Sequence, residues 1–123
     1  MSTFRVTIEV ADLQRTRWES VEVLVDTGSS FTTLPRSILE AMGVQPAGSV
    51  DAQLADGRTV AAHYGHAYTR VEGIETPDLV MFAEPGEVTT LGAHSLEGHF
   101  LAVDPVNERL IPVPALRVRR STT

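Results

Sequence analysis

The 123-residue sequence contains no cysteine, which leaves neither a disulfide framework nor a thiolate metal site to consider. Nothing in it approaches the roughly 20 consecutive apolar residues of a membrane-crossing helix. Positive charge is scarce: ten Lys and Arg stand against sixteen Asp and Glu, a net charge of −6 that argues against nucleic acid as the main partner. Phosphate-binding loops of the GxxxxGK[ST] or GxGxxG kind are missing. No Gly-x-Ser-x-Gly elbow presents a serine nucleophile. There is no HExxH pattern, and His63 and His66, three apart in an expected strand, fall on opposite faces, so neither a metal nor another cofactor is expected. Residues 1–5 lack the charged and apolar regions of a secretory signal. A cytoplasmic protein with no membrane attachment is the resulting expectation.

What is present is mostly β patterning, over a length that suits one domain spanning residues 1–123. Phe4, Val6, Ile8 and Val10 alternate with Arg5, Thr7 and Glu9, as in a half-buried strand. Residues 11–15 are expected to turn the chain and residues 16–25 to return it. Val21, Val23, Leu24 and Val25 form the apolar run of a strand buried on both faces. Residues 35–42 read as a short helix, with Pro35 in its first turn, Ile38, Leu39 and Met42 on one face, and Gly43 as its stop. Residues 50–55 and 58–71 flank Asp56-Gly57, a two-residue hairpin signal. A buried strand at 79–83 is bounded by Pro77 and by Pro85-Gly86, and a second short helix at 93–97 stops at Gly98. Residues 100–103 and 109–113 close the sheet through a turn at Pro105-Val106-Asn107. The core then covers about residues 4–113, and Arg117, Arg119 and Arg120 make 114–123 a solvated basic tail.

One carboxylate stands out. Asp26-Thr27-Gly28 ends the apolar run where the strand breaks into a turn, so a rigid element delivers Asp26 onto a loop. Taken alone, the tripeptide also reads as a plain strand-to-turn cap. Its companions are Leu54-Ala55-Asp56-Gly57-Arg58-Thr59-Val60 and Leu91-Gly92-Ala93-His94-Ser95-Leu96, the latter followed by Leu101-Ala102-Val103-Asp104.

In this order the parts resemble the retropepsin-like aspartic proteases, the single-lobe relatives of retroviral protease, in their bacterial and cellular branch. Val23-Leu24-Val25-Asp26-Thr27-Gly28-Ser29-Ser30 is similar to the catalytic motif, the Asp56-Gly57 segment falls at the flap, and Leu91-Gly92 matches the second apolar-Gly turn. The resemblance implies an all-β acid-protease barrel with one or two short helices, its active site formed at a homodimer interface and acting on peptide or protein substrates. It implies a catalytic Asp26 from each subunit, Thr27 bonding across the dimer axis, and Gly28 admitting an amide close to the carboxylate. Ser29 would donate to Asp26 and, with Ala55, Asp56 and Gly57, meet the substrate. There are two departures: Ala93 stands where retroviral members carry Arg, and Gly57 is the one glycine of the flap. A non-catalytic dimerisation or peptide-binding module on the same fold, and a histidine-based metal hydrolase, stay open at this stage. Leu34, Leu54, Val60 and Phe82 are candidate pocket residues. Trp18 reads as sheet packing, Asp104 as a turn residue, and His94 as a neighbour of the dimer interface.

Overall fold

The alternating N-terminal residues form a strand, β1 (Phe4–Ala11), antiparallel to β2 (Trp18–Val25) from Phe4↔Val25 to Ala11↔Trp18. Asp12 ties the turn between them: its carboxylate accepts the Thr16 N–H at 2.9 Å and the Thr16 hydroxyl at 2.8 Å. In the computed structural model, which describes residues 3–120, β2 buries Val21, Val23 and Val25 while Glu22 is exposed and Leu24 half-buried. The strand therefore buries one face, not two. Its run of branched side chains reflects strand propensity, not double burial.

The other strands are β3 (Thr32–Pro35), β4 (Gly48–Gln53), β5 (Thr59–Val71), β6 (Ile74–Ala83) and β7 (Thr90–Leu91). They form a sheet of order β1-β2-β7-β3-β6-β5-β4, and a second pairing of β1 with β5, Glu9↔Arg70 to Ala11↔Tyr68, closes it into a barrel. β4 stays outside the closure, paired with β5 alone. A separate antiparallel pair joins β8 (Leu101–Asp104) to β9 (Arg109–Pro112).

Several elements depart from the sequence-based expectation, β8 and β9 among them, since they pair with each other and do not close the main sheet, whose closure falls to β1 and β5. β3 and β7 are too short to show any periodicity. β6 begins at Ile74 and runs through Pro77, which faces Tyr68 of β5. Because β3 joins β6 only from Val80 onward, the strand is an edge at Pro77, where a missing N–H is tolerated. The β4–β5 hairpin turns through residues 55–57, with Leu54 N–H donating to Arg58 O at 2.7 Å and Gly57 N–H to Leu54 O at 2.9 Å. A two-residue turn of the expected kind needs positive φ at both residues, and here Gly57 has φ +89° while Asp56 is not among the positive-φ residues.

Helix α1 (Arg36–Ala41) starts after Pro35, buries Leu39, and ends at Gly43 with φ +80°. Helix α2 (Ala93–Gly98) buries Ser95 and Leu96. The core joins Ile8, Val10, Val23, Leu34, Val80 and Leu91 across the barrel. Residues 113–120 carry no regular structure and are exposed, as a solvated tail should be; 121–123, the rest of that expected tail, lie outside the described residues. Among the described residues no helix is long and apolar enough to cross a membrane.

Leu34, a candidate pocket residue, is instead fully buried in this core and lines neither of the two cavities described below. Truncation by Leu34→Ala is expected to lower the unfolding free energy by about 2–5 kcal/mol in urea titrations. A change below about 1 kcal/mol would show that the barrel is not packed at this point.

Candidate active site

β2 delivers Asp26 from between two neighbours. β1 lies on one side and β7, parallel through Leu24↔Thr90 and Val25↔Leu91, on the other. The Asp26 N–H donates to Leu91 O at 3.1 Å, and the chain then reverses, with Ser29 N–H reaching Asp26 O at 3.1 Å. Both carboxylate oxygens are held by the turn itself. Gly28 N–H donates to Oδ1 at 2.9 Å, and the Ser29 hydroxyl donates to Oδ2 at 3.3 Å, as expected of these two residues. Thr27, between them, is exposed.

The start of α2 grips the far side of this turn. Ala93 N–H donates to Ser29 O at 2.8 Å and His94 N–H to Ser30 O at 2.9 Å. The approach requires glycine at position 92, since a Cβ there would lie 2.6 Å from the Phe31 carbonyl carbon and oxygen and 2.9 Å from Ser29 O. Leu91-Gly92 thus supports the site through backbone contact. His94 is exposed, its ring 5.2 Å from that of Phe31.

A groove of about 960 Å³ opens at Asp26. The turn contributes Asp26, Gly28 and Ser29 to its walls, and the hairpin contributes Leu54, Ala55 and Gly57. Asp56 is not part of the lining. Its carboxylate accepts from Arg58 N–H at 3.0 Å and from Arg58 Nε at 2.7 Å, and these bonds, the backbone one foremost, hold its pKa below the ordinary carboxylate range. Of the candidate pocket residues, Leu54 borders both this groove and a second cavity of about 660 Å³ beside Arg36, and Val60 and Phe82 line the second cavity. Several groove residues escaped the sequence reading, among them Tyr64, Leu79 and Met81. Leu79 and Met81 alternate with the buried Val80 and Phe82, a period of two inside a run that reads as wholly buried.

The remaining candidates sit in structural roles. The Arg70 guanidinium lies 3.9 Å above the Trp18 ring, and Asp104 accepts from Val106 and Asn107 in the β8–β9 turn. Among the described residues no group of three or more His, Asp and Glu is arranged to hold a metal ion.

The aspartyl protease family model matches residues 6–98. Among solved structures, EIAV protease complexed with the inhibitor HBY-793 is similar at 17% identity, over 89% of this chain and 93% of that one, with a TM-score of 0.53. At that identity the likeness is one of fold, an all-β chain of the retroviral-protease kind with two short helices. No curated protein matches the sequence.

Gly92→Ala should destabilise the protein by about 1–3 kcal/mol, because backbone on the opposing side cannot swing away as a side-chain end can. Unchanged urea unfolding would show that the two turns are not in close contact. At the hairpin tip, a carboxylate with depressed affinity for protons contributes above the ordinary carboxylate range and loses its contribution as pH falls through its own lower midpoint. The Arg58 amide resonance, followed from neutral pH into acid, should therefore titrate with a midpoint below 3.8 and stop titrating in Asp56→Asn.

Proposed function

We propose that this chain, which belongs to the aspartyl protease family, hydrolyses peptide bonds with water activated between the Asp26 carboxylates of two copies. The observation that carries this reading is the position of Asp26. It lies at the end of a two-sided strand, both oxygens held by its own turn, on the wall of a groove that the β4–β5 hairpin also lines.

The chemistry needs a pair of carboxylates. Two of them about 3 Å apart do not both ionise readily and share one proton, as in the aspartic-protease dyad. The ionised partner takes a proton from the attacking water while the protonated one gives its proton to the carbonyl oxygen, forming a tetrahedral diol. Collapse of the diol returns a proton to the leaving nitrogen and restores the shared one. The chain has a single Asp-Thr-Gly, so a homodimer supplies the second copy, and the pair titrates as a unit. Thr27 lies beside Asp26 on the exposed side of the turn, where a symmetry mate would meet it.

The substrate in this reading is a peptide segment bound as an extended strand, with the hairpin as the flap that closes over it. Ser29, Ala55 and Gly57 meet it along the groove, and Leu79 and Met81 add apolar wall. A cytoplasmic setting goes with a chain free of cysteine.

Wild type and Asp26→Asn should be compared on a diverse peptide library from pH 4 to 7.5. Cleavage should fall by ~10²–10⁴-fold in the variant with thermal melting unchanged. Excess Asp26→Asn added to wild type should also depress activity per wild-type chain, because mixed dimers carry one carboxylate. Equal cleavage by both proteins rules out the catalytic role, and indifference to the added variant rules out the shared site. Peptide binding without cleavage would favour the binding module.

A further inference from the structure

Behind the catalytic turn lies a polar cluster that peptide hydrolysis does not use. Thr32, Thr69, Asp78, Ser95 and His99 come from β3, β5, β6, α2 and the residue that caps α2, and all five are buried, His99 completely. Gly92 N–H donates to Thr32 Oγ1 at 3.1 Å, and the Thr32 and Ser95 hydroxyls share a short hydrogen bond. Two hydroxyls donate to one oxygen of Asp78: Ser95 Oγ at 2.6 Å and Thr69 Oγ1 at 2.9 Å. His99 closes the cluster, with Nδ1 2.7 Å from Ser95 O and Nε2 3.2 Å from both Thr69 O and Thr69 Oγ1.

The acceptors around the ring bear on its protons. A carbonyl oxygen can only accept, so Nδ1 must bring a proton to Ser95 O. Nε2 faces a second carbonyl oxygen, Thr69 O, which also can only accept, so a proton on Nε2 as well is the arrangement that satisfies both contacts. A ring protonated at Nδ1 alone would set a nitrogen lone pair against the Thr69 carbonyl, a mismatch at a fully buried residue. An imidazole with two protons is a cation, and a buried cation requires a compensating anion. Asp78, within hydrogen-bond distance of two hydroxyls on the far side of Thr69, is the acidic group in this cluster.

We propose that His99 and Asp78 form a fixed imidazolium–carboxylate pair, relayed by Thr69 and Ser95, that acts as a positioning device for Asp26. The path is short. Asp78 orients Ser95, Ser95 bonds Thr32, and Thr32 receives the Gly92 N–H. Gly92 sits between Leu91, whose carbonyl accepts the Asp26 N–H, and Ala93 and His94, whose N–H groups hold Ser29 and Ser30. The positioning role rests on Asp26 being catalytic; the charge assignment does not.

The test is nitrogen-15 NMR of the histidine rings in the full chain at pH 8, where an imidazole free in water is neutral. His99 should show protons on both ring nitrogens. A single protonated nitrogen overturns the pair, whatever the activity. Asp78→Asn removes the compensating charge, so His99 should lose one proton at that pH, and kcat should fall by up to ~10²-fold with KM within about twofold. Unchanged kcat overturns the positioning role. Should that variant fail to fold, Thr69→Val removes the relaying hydroxyl and Thr69→Ser keeps it; kcat should fall in the first and be retained in the second, and equal behaviour overturns the relay. Failure of the catalytic reading looks different: a doubly protonated His99 in a wild type that cleaves nothing leaves the pair standing and the positioning role refuted.

Discussion

Two turns of backbone touch at Gly92, and the candidate site depends on that contact. Most close packing in a protein is between side chains, which can trade rotamers to absorb a change. Here the loop that follows Asp26 meets main chain some sixty residues away, with Ser29 and Ser30 carbonyls bonded to the first N–H groups of α2. The carboxylate is thereby referenced to both halves of the chain. β2 fixes the direction from which it arrives, and β7 with α2 fixes the turn that follows.

The floor of the groove and its roof are built to different standards of rigidity. Asp26 hangs from a strand with neighbours on both sides, in a barrel that closes on itself. The roof is a hairpin whose outer strand, β4, has one neighbour and whose tip is exposed. Exposed ladder bonds and few buried contacts mark the low-stability end of a fold. In the proposed function, a fixed carboxylate on one wall and a compliant hairpin on the other would be the division of labour that admits an extended peptide.

Much of this was legible in the sequence because it is local. Strand alternation in β1, the stop after α1 at Gly43 and the Asp-Thr-Gly turn each declare themselves within a few residues. What escaped is what neighbours decide. β7 is two residues long and is a strand only because β2 and β3 lie on either side of it. Pro77 looks like a boundary until the sheet order shows that β6 is an edge there. Treating Pro77 as a boundary also hid Asp78, which then reads as a loop acid and not as a buried carboxylate inside a strand. Thr32, Thr69, Ser95 and His99 are spread over nearly seventy positions, and no local pattern joins them. The groove residues Leu79 and Met81 did leave a trace, their alternation with Val80 and Phe82, which continuous hydrophobicity masks.

The place of β7 in the sheet has a consequence for synthesis of the chain. β2 emerges early but acquires its second neighbour only when Leu91 has been made. At about 5–20 residues per second, its open edge waits several seconds beside other nascent strands. Barrel closure is equally deferred, since Glu9 must find Arg70. A waiting edge invites pairing with the wrong partner, and charged side chains are the usual defence. Glu19 and Glu22 put charge on that strand, each with an arginine partner, Arg17 and Arg5, from the same early part of the chain.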